Sequence, residues 1–201
     1  AIVILYSDHG ESFGEHGNLF HGHSLGEELI RILFAVRAPG RVPAGLRIPA
    51  TARAVDILPT VLDLAGLDPG LAVGVEGASL APRLRGEAAD SRMDNEDAFS
   101  EVFAGGMRHP HFGPFQMDHR SIRSGHWKFV WSGDGSRRLY DLSTDPGEDH
   151  DLYKESGIAT ALEKRLTDWI HSGHRKSDDT KPADQERIDA LKSLGYVNQS
   201  P

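Results

Sequence analysis

This sequence predicts an α/β fold in unequal parts: a sheet domain over residues 1–86, a small α+β subdomain over 87–175, and a linker with a short terminal helix over 176–201. Three observations carry that prediction. Two apolar, β-branched runs, residues 1–6 and 31–37, flank a helix-start pattern and are followed by a second helical stretch. Farther along, Trp127, Phe129 and Trp131 alternate, as in an antiparallel strand with one buried face. Ile158, Ala161, Leu162, Leu166, Trp169 and Ile170 then follow helical spacing, giving one amphipathic helix to pack on that sheet.

Ala1-Ile-Val-Ile-Leu-Tyr6 is a continuous apolar run, so it reads as a buried strand. Residue 1 already lies inside that run, and the chain is expected to begin within a domain. Residues 7–23 form a loop rich in glycine, acids and histidine. Ser24-Leu-Gly-Glu27 has the pattern of a capping box, with Ser24 at the N-cap, Glu27 reaching back, and a helix running to about Ile30. Arg31–Arg37 is the second buried strand, closed by Ala38-Pro39-Gly40. From Val55 to Gly66, Asp56 suits the helix start, Pro59 falls in the first turn, and Gly66 suits the residue just past the end. This order of strands and helices reads as the tail of a βαβ sheet domain.

Gly86 to Asp97 is polar, with Asp90, Asp94, Glu96 and Asp97 against Arg92, and reads as a solvated loop. Asp97–Val102, Ser121–Ser124, His126–Trp131 and Arg137–Tyr140 read as short strands joined by turns. Residues 173–186 form a charged linker, and Ile188–Leu194 a short helix ending at Gly195.

The net charge is -8, which argues against a nucleic-acid backbone as the main partner. There is no cysteine, which excludes disulfides, thiolate metal sites and a cysteine nucleophile within these residues. No apolar stretch reaches the length of a membrane span. With 22 glycines and 11 prolines beside 38% hydrophobic residues, the core is modest and turns are many.

Chemistry concentrates where the first strand ends. Asp8 and His9 follow it directly, and in a loop both side chains can turn toward one cation. A carboxylate and a neutral imidazole suit Ca²⁺, Mn²⁺ or Zn²⁺ in part, although two ligands complete none of them. Alone, the pair reads more readily as a capping acid beside a surface imidazole than as a metal site. Glu11, Glu15, His16, His21 and His23 follow. His21-Gly22-His23 places two imidazoles near the helix start, where positive partial charge favours an oxyanion; a solvated polar loop is the alternative. His109-Pro110-His111 lies in a Gly/Pro/Phe-rich loop suited to a substrate contact, with a flexible lid or a metal ligand as equal alternatives.

Ser7-Asp8-His9-Gly10-Glu11-x-x-Gly14-Glu15-His16-Gly17, then His21-Gly22 and Glu27-Glu28-x-x-Arg31, resembles a segment of the sulfatases of the alkaline-phosphatase-like superfamily. Further matches follow in the family's order over nearly all of the chain. They are Val55-Asp-Ile-Leu-Pro-Thr60 through Leu64-Ala-Gly66, Gly77-Ala-Ser-Leu80, Arg123-Ser-Gly-His126-Trp127-Lys128, Leu139-Tyr-Asp-Leu142 with Asp145-Pro-Gly-Glu148, and Leu191-Lys-Ser-Leu-Gly-Tyr-Val197.

The resemblance implies the C-terminal part of an alkaline-phosphatase-like sheet domain plus a small antiparallel-sheet subdomain with a packed helix. It also implies a sulfuric ester hydrolase when complete, acting on a small-molecule or glycan sulfate ester in the periplasm or outside the cell. Asp8 and His9 would fill the family's divalent-cation roles, Ca²⁺ first, with Mn²⁺ or Zn²⁺ open to the same donors. The family's active-site Lys lines up with His21, which as an imidazole can still donate to an oxyanion or protonate a leaving oxygen; His23 is a second candidate for that duty. Gly26 stands where Tyr is usual and Leu33 where Pro is common.

The family nucleophile is a formylglycine made from Cys or Ser in a C/S-x-P-x-R segment, and none occurs here; Ser79-Leu-Ala-Pro-Arg83 has its proline one place late. These residues alone are therefore expected to be inactive, and to self-associate through apolar surface left without neighbouring strands. A phosphonate or phosphate ester hydrolase, or a phosphoryl-group transferase, of the same superfamily would share the Asp–His pair. A truncated remnant or a partner-binding pseudoenzyme is the non-catalytic alternative. Trp127 and the later charged residues read as structural.

Overall fold

The computed structural model describes residues 1–68, 70, 76–87, 96–104, 108–109, 113–114 and 117–172. The charged linker at 173–186, the helix at 188–194, the Leu191–Val197 motif, Pro110-His111 and most of the loop at 86–97 lie outside the described residues. No described helix is long and apolar enough to cross a membrane.

Strand β1 (Val3–Tyr6) pairs with β4 (Phe34–Arg37), and between them lie the hairpin β2 (Ser12–Phe13)/β3 (Leu19–Phe20) and the helical turn α1 (Glu27–Ile30). The β1–β4 pairing is antiparallel, Tyr6 opposite Phe34 and Val3 opposite Arg37, which corrects the expected parallel βαβ unit. The reason lies in the connection. A four-residue helix rises only about 6 Å, too little to carry the chain back along a strand of about 13 Å. Instead the loop folds back on α1: the Gly10 N–H donates to Leu29 O at 2.7 Å and the Glu11 N–H to Glu28 O at 3.0 Å. With only two strands in this sheet, Val3, Leu5 and Tyr6 are exposed, not buried as the apolar run predicts.

The capping box also gives way to tertiary structure. Gly26 is the N-cap without a side-chain cap bond, and Ser24 Oγ accepts the Gly26 N–H at 3.4 Å. The Glu27 carboxylate turns instead to two cations of the second sheet, Arg123 at 2.9 Å and Lys128 at 3.2 Å.

Helix α2 (Ile57–Ala65) forms as predicted and ends at Gly66, whose φ of 78° is the left-handed conformation that glycine adopts without a Cβ penalty. The Leu67 N–H closes back to Leu62 O at 2.9 Å. Asp56 does not cap α2 itself. Its carboxylate takes the Arg53 N–H and guanidinium of the preceding turn and the Ala78 N–H. The Leu80 N–H donates to Thr60 Oγ1 at 2.9 Å, and Ser79 Oγ donates to Asp63 at 2.7 Å. Two of the resemblance motifs, Val55–Gly66 and Gly77–Leu80, are thus halves of one lock that seats the short helix α3 (Ala81–Leu84). Ser79 is a structural donor within it.

Strands β5 (Ala98–Val102), β8 (His119–Ser124), β9 (Trp127–Ser132) and β10 (Arg137–Asp141) form an antiparallel sheet in the order β10-β9-β8-β5; a short hairpin, β6 (Arg108–His109) and β7 (Gly113–Pro114), precedes β8. Helix α4 (Ile158–His171) packs on one face, where Ile122, Phe129 and Leu139 meet Ala159, Leu162 and Leu166. Trp127 and Trp131 flank this core, as their alternation with Phe129 predicts. The helix stripe is rotated from the one predicted: Ala159 faces the core, while Ile158, Ala161 and Ile170 are exposed.

The opposite face is covered in part: Arg138 is exposed, whereas Ser121 and Tyr140 are buried. Lys128, between two core aromatics, is fully buried: its ammonium donates to Leu25 O at 2.5 Å and pairs with Glu148 at 2.7 Å. This buried ionic contact joins β9 to the start of α1.

Candidate functional site

The site is the loop that leaves β1 and doubles back along α1. Two backbone bonds, from Gly10 and Glu11 to Leu29 and Glu28 of α1, hold it there. Gly10 is required for that approach, because a Cβ at this position would stand 2.0 Å from Glu28 O.

Asp8 is largely exposed, and its Oδ1 accepts the His9 N–H at 3.1 Å. The same oxygen lies 3.8 Å from His9 Nε2. His9 Nδ1 lies 2.7 Å from Gly10 O. A carbonyl only accepts, so Nδ1 carries the hydrogen and Nε2 is the free nitrogen. The ring of His21 stacks on His9, with centroids 4.1 Å apart and planes inclined by 29°. His21 Nδ1 lies 3.1 Å from Glu11 Oε2. Asp8, His9, Glu11 and His21 therefore form one partly exposed cluster. His23 is held differently, its Nε2 3.2 Å from Phe20 O of the β2–β3 hairpin. Glu15 caps that hairpin: the Phe13 N–H donates to its carboxylate at 2.6 Å and holds its pKa below the usual glutamate value.

The donor chemistry at Asp8 and His9 suits a divalent cation. Metal-bound histidine commonly gives its other N–H to a carbonyl or carboxylate, as His9 does to Gly10. Bonds of about 2.1 Å to nitrogen and oxygen bridge donors up to about 4.2 Å apart, and His9 Nε2 and Asp8 Oδ1 are within that span. The pair supplies two protein ligands, and the remainder of a coordination sphere must come from other groups.

A second gathering of donors lies behind the loop. Ligand atoms of His16, Glu28 and Glu148 fall within 4.8 Å of one another. Positive charge is already present there: Glu148 pairs with the Lys128 ammonium at 2.7 Å and accepts the Glu27 N–H at 2.9 Å. This cluster is a structural ion network.

Sequence reading leaves out two of these relationships. Glu11 enters it as one acid among several, and nothing in a ten-residue separation marks it as the partner of His21. Lys128 enters it among the later charged residues read as structural, with no partner assigned. Its place beside Trp127 in one motif, with Glu27 and Glu148 in two others, is the signal that was available.

Residues 14–175 match the family described as N-sulphoglucosamine sulphohydrolase, C-terminal. The chain is 34% identical over 181 residues to arylsulfatase K of Mus musculus, covering 85% of this chain and 30% of that protein. The chain thus spans about a third of the length of the curated relatives it matches. A solved 2-O GAG sulfatase superposes with a TM-score of 0.71 at 24% identity over 91% of this chain and 38% of its own. Phosphonate monoester hydrolase of Agrobacterium radiobacter gives 0.64 at 24% identity over 86% of this chain and 35% of its own. These two superpositions establish the mixed α/β architecture of the alkaline-phosphatase-like fold. The chain belongs to the sulfatase family, in the region described as the N-sulphoglucosamine sulphohydrolase C-terminal domain.

Proposed function

We propose that this chain supplies part of the active site of a metal-dependent sulfuric ester hydrolase. Asp8 and His9 would hold the divalent cation, Ca²⁺ first and Mn²⁺ or Zn²⁺ by the same donors. When bound, such an ion polarises the sulfate oxygens as a Lewis acid and fixes their orientation. His21, stacked on His9, would face the ester where the family has lysine, donating from its ring to a sulfate or leaving-group oxygen. His23 is the second candidate for that role. The formylglycine nucleophile and the other metal ligands would come from residues outside this chain, so the 201 residues alone do not turn over substrate. The substrate is a small-molecule or glycan sulfate ester, and the setting is periplasmic or extracellular.

The observation that carries this reading is the stack of His21 on His9 beside Asp8. It supports the reading because His21, at the lysine position of the resemblance, packs on a metal-ligand candidate. The experiment is turnover of an aryl sulfate by the whole enzyme and its Asp8→Ala and His21→Ala variants. Losses beyond about 100-fold, larger than typical outer-shell effects, are expected for Asp8→Ala. Unchanged rates in both variants would refute the assignment.

The same pair of donors serves a phosphonate or phosphate ester. Parallel assays on an aryl phosphonate separate that second reading, since the dominant activity identifies the ester class.

A further inference from the structure

We propose that Glu11 is the positioning residue for His21, fixing its ring so that Nδ1 is committed and Nε2 is the nitrogen presented to the site. This inference rests on the reading of His21 as a site residue and adds the group that orients it.

Glu11 Oε2 lies 3.1 Å from His21 Nδ1, ten positions apart in sequence and across the β2–β3 hairpin. The other carboxylate oxygen, Oε1, is buried with no hydrogen-bond partner among the described residues, so His21 is the side chain this acid holds. Glu11 is itself fixed, its N–H donating to Glu28 O at 3.0 Å. The ring of His9 closes one face of His21 at 4.1 Å, so the imidazole is constrained both by the hydrogen bond in its plane and by the stack against its face.

An ionised carboxylate only accepts, so Nδ1 carries the hydrogen in every charge state of His21. Nε2 is left as an acceptor when the ring is neutral and as a donor when it is charged. His9 is organised in the same sense by the Gly10 carbonyl. The two stacked rings are thus committed through the same nitrogen and open through the other. A lysine at position 21 would need no such partner, because its three ammonium hydrogens rotate freely. An imidazole presents the correct nitrogen only if something fixes the tautomer, and Glu11 does so here.

The test is the ¹⁵N spectrum of the imidazole nitrogens in the whole enzyme, with His21 assigned from His21→Asn and the neutral form reached by raising pH. In the wild-type enzyme His21 is expected as the Nδ1–H tautomer, with a pyridine-type Nε2. Glu11→Ala is expected to shift it to a mixture or to Nε2–H, and Glu11→Gln, which keeps an acceptor oxygen, to retain Nδ1–H. The signal of His119, held by Ser132 at 2.9 Å in the second sheet, reports that each variant remains folded. A wild-type His21 in the Nε2–H tautomer overturns the inference without any variant. An unchanged tautomer in folded Glu11→Ala overturns it as well. Either result leaves the reading of His21 as a site residue standing, since that depends on turnover by His21→Ala.

Discussion

Lys128 Nζ and Glu148 Oε1 lie 2.7 Å apart with almost no solvent contact on either side chain. Glu27, which also takes Arg123, shares the ammonium at 3.2 Å. Three resemblance motifs thus meet in one buried ion network, which secures α1 and, through it, the loop carrying Asp8 and His9. Lys128→Ala leaves Glu148 buried without its cation and Glu27 with Arg123 alone, and removing one member of a buried pair costs about 3–5 kcal/mol. Urea denaturation is expected to show a loss in that range. A loss below about 1 kcal/mol would mean that the network does not fasten the two sheets.

The rotated stripe of α4 separates residues that look equivalent in sequence. Leu162→Ala empties a core position and is expected to cost about 2–5 kcal/mol. Ile170→Ala, at a position 39% exposed, is expected to cost less than about 1 kcal/mol. Thermal or urea unfolding of the two variants checks the order.

Gly10 couples backbone packing to the site. Gly10→Ala places a Cβ 2.0 Å from a main-chain oxygen that is held in a helix, so the loop itself must move. Overpacking of this kind costs about 1–3 kcal/mol. The expected readout is lower stability in urea together with shifted His9 and His21 ring signals, because the Gly10 and Glu11 hydrogen bonds to α1 are disturbed together.

His119 sets a pH dependence. Burial, then the nearby Arg138 cation, lowers its pKa from the usual 6.5. The folded state therefore binds this proton less readily than the unfolded state. The contribution of His119 to stability is fully present above the unfolded value, falls as pH drops below 6.5, and levels off beneath the folded value. Stability measured from pH 8 to pH 5 is expected to fall, and His119→Gln to remove part of that slope.

The second sheet was legible because its aromatic alternation and turn residues report local geometry directly. Gly66 was legible for the same reason, since a left-handed residue after a helix is a local requirement. What escaped is non-local. Antiparallel pairing of β1 with β4 depends on a loop folding back along α1, and no periodicity records that. Glu27 looked like a capping-box acid until Lys128, about a hundred residues away, competed for it. The site was legible as a set of residue types, with Asp8, His9 and His21 all in one short segment. Its internal organisation was not, because a stacked ring and a shared hydrogen bond have no sequence spacing. Much of the apolar surface of β1 is exposed, in keeping with the expectation that the isolated chain self-associates.

The most direct test of the metal-site assignment is the divalent-metal content of the whole enzyme, wild type against Asp8→Ala, determined by elemental mass spectrometry after exhaustive dialysis. The wild type is expected to retain a stoichiometric divalent ion, and the variant to lose it while staying folded. A folded Asp8→Ala enzyme that keeps its full metal complement would contradict the assignment of Asp8 and His9 as the cation ligands.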